Sequence, residues 1–135
     1  MFELGVKFLV SYFLGSIMGA LTMGKLKGDI DIRIMGSGNA GGTNALRTQG
    51  KLFALGVIII DIGKGVIAVS LVSQWVLPIT MQEPQISRDV LILCCAFAAV
   101  MGHVWPMWHQ FKGGKGAATL IGTFLVISPL FVAVM

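Results

Sequence analysis

The sequence predicts an all-α polytopic transmembrane helical bundle with about four spans, and three observations predict it. Hydrophobic residues make up 56% of the 135 and charged residues only 12%, against roughly 25% charged in a soluble domain that faces water on all sides. Mean hydropathy is +0.87. The apolar residues also gather into runs near the roughly 20 helical residues that cross a bilayer core of about 30 Å. This composition excludes a water-soluble globule, and it excludes disorder, which goes with low hydrophobicity. A disulfide scaffold is excluded too, because Cys94 and Cys95 are neighbours within one apolar run, a poor geometry for bridging. They read as buried, lipid- or helix-facing thiols.

The first run extends from Phe8 to Met23 without a charge. Lys25, Lys27 and a glycine-rich stretch follow where a leader peptide would carry its small-residue cleavage site, so it reads as a span. The second, Leu52 to Leu77, is interrupted only by Asp61 and Lys64. These two lie three positions apart, hence on one helical face, and read as an ion pair turned into the bundle. The third run extends from Val90 to about Trp105, after a connector from Pro78 to Asp89. The fourth, Ala117 to Met135, carries no charge. With no internal repeat, residues 1–135 read as a single membrane domain.

Basic residues orient the bundle, since Lys and Arg in short loops stay cytoplasmic. Lys25, Lys27, Arg33, Arg47 and Lys51 follow the first span, and Lys112 and Lys115 follow the third; the intervening loop holds only Arg88. Both basic loops are then cytoplasmic and the N-terminus outside. The net charge of +4 belongs mostly to those loops. Nucleic acid is not an expected partner, because that would need a soluble basic face with stacking aromatics, whereas the three Trp sit in or beside apolar runs as interfacial anchors do.

The first loop contains Gly36-Ser37-Gly38-Asn39-Ala40-Gly41-Gly42-Thr43-Asn44-Ala45-Leu46-Arg47. Its glycines let backbone N–H groups converge on an anion. Ser37, Asn39, Thr43 and Asn44 add neutral hydrogen-bonding groups, and Arg47 adds a planar fork suited to phosphate. The plainer alternative is a flexible connector of turn-forming residues. Gly36, Gly38 and Gly41 also match G-x-G-x-x-G, with Asp61 following Gly41 by 20 residues. That dinucleotide fingerprint requires a strand before it and a parallel sheet around it, and the chain has room for neither.

The second loop reads Phe111-Lys112-Gly113-Gly114-Lys115-Gly116-Ala117-Ala118-Thr119, after Gly102-His103-Val104-Trp105-Pro106. It is not a Walker A loop, since His109 and Gly116 occupy positions where that motif has Gly and Ser or Thr. Its lysines and glycines nevertheless open an apolar helix, where ammonium groups, amides and the helix N-terminus can meet one anion. A clamp on lipid phosphates is the alternative. His103 and His109 lack the companions of a metal site; His103 reads as an interfacial hydrogen-bonding group and His109 as exposed.

At these loops the chain closely resembles the bacterial acyl-phosphate:glycerol-3-phosphate acyltransferases, the PlsY family. The resemblance rests on Gly36-Ser37-Gly38-Asn39 with Gly41, Thr43-Asn44 and Arg47, on Asp61 to Gly65 as D-x-x-K-G, and on Gly102-His103, Trp105-Pro106 and Phe111 to Thr119. It implies a polytopic enzyme of the bacterial inner membrane that moves a fatty acyl group from acyl phosphate to glycerol 3-phosphate, giving lysophosphatidate, without cofactor or metal. It implies Ser37 and Arg47 in the active site. It also implies a substrate site that takes in Gly36, Gly38, Asn39, Gly41, Thr43 and Asn44 from the first loop, and His103, Lys112, Gly113, Gly114, Lys115, Gly116 and Thr119 from the second. Ala40 and Gly42 stand where the family commonly has Pro and Ala, which loosens the loop but leaves the polar residues in place. A third family motif resembling H-x-x-N-I-x-R-L is absent, so the chain is expected to be the N-terminal part of the family domain. Its expected partners are the two substrates and membrane lipids, with a second copy of the chain or a separate C-terminal segment. The rival reading is a protein that binds anionic lipid or an organic phosphate without chemistry.

Overall fold

The structure is a computed structural model describing residues 1–77 and 86–134, and every regular element among them is helical. Helices α1 (Phe2–Gly15) and α2 (Gly19–Leu26) form the first run, bent by 45° at the break between them. The run from Phe8 to Met23 is thus two helices, not one continuous rod. Glycine at both edges of the break weakens helix propagation. The buried Lys64 ammonium then takes the freed carbonyls of Gly15 and Ile17, each at 2.7 Å.

Helix α3 (Gly42–Gln49) is followed by α4 (Lys51–Ile67), which runs on through a π-helical turn at Ala68–Val72. Helix α5 (Arg88–Val104) starts where Ser87 Oγ accepts the Val90 N–H at 3.4 Å. The segments Lys51–Val72 and Arg88–His109 are long and apolar enough to cross a membrane, and the bent α1–α2 pair is a third candidate. Helix α6 (Ala117–Ile127) is only 11 residues long, about 16 Å at 1.5 Å per residue. The run from Ala117 to Met135 is interrupted by Pro129, which opens α7 (Pro129–Ala133). Proline disfavours helical backbone in the residue before it, and Ser128 has φ −154° and ψ 84°. Met135, and residues 78–85 of the expected connector, lie outside the described residues.

Helix α1 packs along α5 and α4 along α6, while α2 and α3 lean on α4. The crossings use small residues: a Cβ at Gly102 would strike the Tyr12 carbonyl, and one at Gly122 the Ile62 carbonyl. Such bare contacts let membrane helices gain dispersion energy where lipid offers no hydrophobic drive. Met18, Ile32, Ala40, Ala45, Phe53 and Val57 form a core cluster joining α2, the first loop, α3 and α4. Large apolar side chains on the outer faces of α4 and α5, among them Ile59, Leu71, Leu93 and Phe97, are exposed, as on a surface that lipid covers. Trp75, Trp105 and Trp108 are about half exposed. Both thiols are free, Cys95 buried and Cys94 half-buried. One feature outside the sequence reading is Lys7, buried in α1 with Glu3 at 2.6 Å and the Ser73 carbonyl at 2.7 Å.

Candidate functional site

The two glycine-rich loops meet. Arg33, held to Asp31 at 2.7 Å, donates from Nη1 to the carbonyls of His109 at 3.3 Å and Lys112 at 3.1 Å. The Arg33 guanidinium holds the Asp31 carboxyl below the usual carboxylate range. In the sequence Arg33 stands only as a loop charge, and the signal for its role is Asp31 two positions away.

The first loop takes its shape from Asn44 in the opening turn of α3. Asn44 is buried, and its Nδ2 donates to the carbonyls of Ile32, Met35 and Asn39, each at 3.0 Å. Its Oδ1 accepts the Ser37 N–H at 3.1 Å. Gly36 has φ +56°, and a Cβ there would also collide with Asn44 Oδ1. The Ser37 side chain is thereby presented at an exposed lip. Helix α3 has no side-chain cap at Gly41, so its first N–H groups are open to an anion. Thr43 and Arg47, one turn apart, share a face.

The second loop folds back on α5: the Gly113 and Gly114 N–H groups bond to the carbonyls of Val104 and His103, each at 3.2 Å. These amides close the helix end and do not converge on an anion. Gly116, at φ +79°, caps α6 without a side-chain bond. The N-termini of α3 and α6 therefore flank one cavity of about 530 Å³.

Of the expected residues, Ser37, Asn39, Gly41, Thr43, Asn44, Arg47, His103, Lys115 and Gly116 line this cavity. Gly36, Gly38, Lys112, Gly113, Gly114 and Thr119 are not in its lining. Asn44 contributes mainly as the clasp of the loop. Thr119 stands behind His103, its Oγ1 3.1 Å from Nδ1. His109 is half-buried rather than exposed, and it belongs to a different surface depression.

Asp61, Ile58 and Ile62 of α4 complete the wall with Ala117, Ala118 and Ile121 of α6. Sequence reasoning paired Asp61 with Lys64, and their 3.1 Å separation shows that pair, but it did not place Asp61 in the cavity. The signal was the i, i+3, i+4 spacing of Ile58, Asp61 and Ile62. Asp61 Oδ1 also takes the Gly19 N–H at 3.1 Å and lies 3.5 Å from His103 Nδ1. Lys64 offsets its charge. Arg47 and Lys115, by contrast, have no carboxylate partner among the described residues. Two open helix N-termini and the cations Arg47 and Lys115 face an apolar wall, an arrangement that suits a phosphate joined to a hydrocarbon. No group of three or more His, Cys, Asp and Glu among the described residues gathers for a metal ion.

The family model for glycerol-3-phosphate acyltransferase matches residues 6–135. The chain belongs to the glycerol-3-phosphate acyltransferase family. A family member from Paramagnetospirillum magneticum is 48% identical over 125 residues, covering 93% of this chain and 57% of the relative. Another from Bacillus cereus is 45% identical over 129 residues, covering 95% and 59%. The crystal structure of PlsY, an integral membrane glycerol 3-phosphate acyltransferase, in its glycerol 3-phosphate form is similar with a TM-score of 0.76 and 32% identity. Its lysophosphatidic acid form gives 0.73. Each comparison covers 97% of this chain and 60% of PlsY. The chain thus spans a little over half the length of the curated acyltransferases it matches, 55% in a relative from Prochlorococcus marinus.

Proposed function

We propose that this chain transfers a fatty acyl group from acyl phosphate to glycerol 3-phosphate at the cavity between the two loops, releasing lysophosphatidate and phosphate. The observation that carries this reading is the meeting of Ser37, Arg47, Lys115 and two helix N-termini against Ile58, Ile62 and Ile121. Both substrates bear phosphate, and one also bears a long hydrocarbon that must leave the site toward lipid. Family membership and the glycerol 3-phosphate named in the PlsY structure support the same chemistry.

In this reading residues 1–135 form one membrane domain of four spans, with an outside N-terminus and both basic loops on the cytoplasmic side of a bacterial inner membrane. Arg47 and the α3 N-terminus hold one phosphate, and Lys115 with the α6 N-terminus holds the other. Ser37 hydrogen-bonds a substrate at the lip. The acyl phosphate is already activated, so attack by the glycerol hydroxyl needs chiefly positioning and stabilisation of developing negative charge. The apolar wall guides the first part of the acyl chain.

The test is lysophosphatidate formation by the purified chain in liposomes, with labelled glycerol 3-phosphate and either acyl phosphate or acyl-CoA. Product is expected from acyl phosphate alone. Arg47→Ala lowers turnover by about 10²–10³, the usual cost of a charge-stabilising donor, and Ser37→Ala also lowers it. Product from acyl-CoA alone, or turnover indifferent to both substitutions, would overturn the assignment.

A further inference from the structure

A depression of about 440 Å³ lies between α2 and the turn at Met107–His109, and it shares no lining residue with the cavity of the two loops. Ile17, Leu21, Thr22, Lys25, Trp108 and His109 are among its walls. The Thr22 hydroxyl, the Lys25 ammonium, the Trp108 indole N–H and the His109 ring have no hydrogen-bond partner among the described residues. The charged groups acting on His109 are Arg33, Lys25 and Lys64 against Asp31. Asp31 is paired with Arg33 at 2.7 Å and Lys64 with Asp61 at 3.1 Å, which leaves the exposed Lys25 uncompensated. Leu9, Phe13 and Ile17, all exposed, follow one another at four-residue spacing, and the first two share one side of α1. The Phe13 ring lies 5.6 Å from that of Trp108. An apolar track therefore leads from the depression past Trp108 and along the outside of α1.

We propose that this depression seats one anionic phospholipid of the bilayer, with its phosphate at Lys25 and one acyl chain along Ile17, Phe13 and Leu9. A cation at the head of an apolar track matches the order of phosphate and hydrocarbon in a lipid. Indole rings sit at head-group level, where the N–H groups of Trp108 and His109 donate to phosphate or ester oxygens. A zwitterionic lipid brings its own ammonium against Lys25, so a lipid of net negative charge fits better. The site needs only the membrane position of the chain and does not depend on acyl transfer. It also bears on the second loop. Arg33 Nη1 holds the His109 carbonyl together with that of Lys112, so a lipid seated here steadies the turn from which that loop departs.

Trp75→Phe with Trp105→Phe leaves Trp108 as the sole indole of the three, so its quenching by lipids brominated near the head group reads the depression directly. The vesicles are phosphatidylcholine with a minor share of phosphatidylglycerol, and the bromine is carried by one lipid or the other in equal amount. Brominated phosphatidylglycerol is expected to quench Trp108 about fivefold more strongly per molecule than brominated phosphatidylcholine, the preference that one ammonium gives an anionic lipid. Lys25→Gln abolishes that preference. Lys27→Gln keeps it, because Lys27 is turned to Gln49 and Phe53 instead. Equal quenching by the two lipids overturns the proposal, as does a preference lost equally in both lysine variants, which is the mark of surface charge alone. No quenching by either lipid means that protein covers the depression, and overturns it as well. Displacement of the brominated lipid by glycerol 3-phosphate at constant ionic strength makes this a site for soluble phosphate and also overturns it.

Discussion

Replacing Asn44 by Ala tests whether one buried amide holds the first loop in its functional shape. An amide carries two N–H hydrogens, so the three carbonyl contacts of Nδ2 share two donors, and Oδ1 adds the bond from Ser37. The Ile32 and Met35 carbonyls keep their bonds from Met35 N–H and Gly38 N–H, so neither is orphaned. Three bonds at about 1 kcal/mol each sum to about 3 kcal/mol, roughly a 100-fold shift toward an open loop. Hydrogen–deuterium exchange across residues 32–43 in micelles reads this directly, because the Ser37 amide loses its Asn44 acceptor. Glycerol 3-phosphate affinity falls with it. Thr43→Ala, which touches none of these bonds, keeps the protection. Unchanged exchange at residues 36–39 in Asn44→Ala would refute the clasp.

Two further outcomes follow from the charge network. Lys64→Met strands a buried carboxylate and leaves the Gly15 and Ile17 carbonyls at the α1–α2 break without their donor, costing about 3–5 kcal/mol; adding Asp61→Asn restores part of the loss. Thermal melting in detergent ranks the three chains, and a single variant as stable as wild type contradicts the account. Arg33 depresses the Asp31 carboxyl, so the ionised pair contributes stability above the unfolded value of about 3.9, and that contribution fades as pH falls through the lower folded value. The melting difference between wild type and Asp31→Asn is therefore constant above about pH 5 and shrinks below about pH 4. A difference that grows on acidification has the wrong sign.

Much of the fold was legible because the decisive forces were compositional. Apolar run length reports bilayer burial residue by residue, and the run Leu52 to Leu77 holds all but the first residue of the helical segment Lys51–Val72. Breaks within runs were less visible. The bend near Ser16 is stabilised by Lys64, a residue 47 positions from one of the carbonyls it holds, and such pairing leaves no local periodicity. Pro129 is a local signal for the break before α7, hidden in the unbroken hydropathy of the run.

A membrane chain, two basic glycine-rich loops and the residue types that suit phosphate can be read from composition and order alone, because hydrophobicity, charge and glycine content are properties of residues taken singly. Which of those residues act together is set by the packing of the helices. It turned Asn44 inward as a clasp, used the Gly113 and Gly114 amides to close α5, and set Lys115 rather than Lys112 in the cavity lining. It also brought Asp61 to His103 across 42 positions. Direction and partnership depend on helix rotation and crossing, set by contacts such as Gly122 on Ile62. Those contacts join segments far apart in the chain.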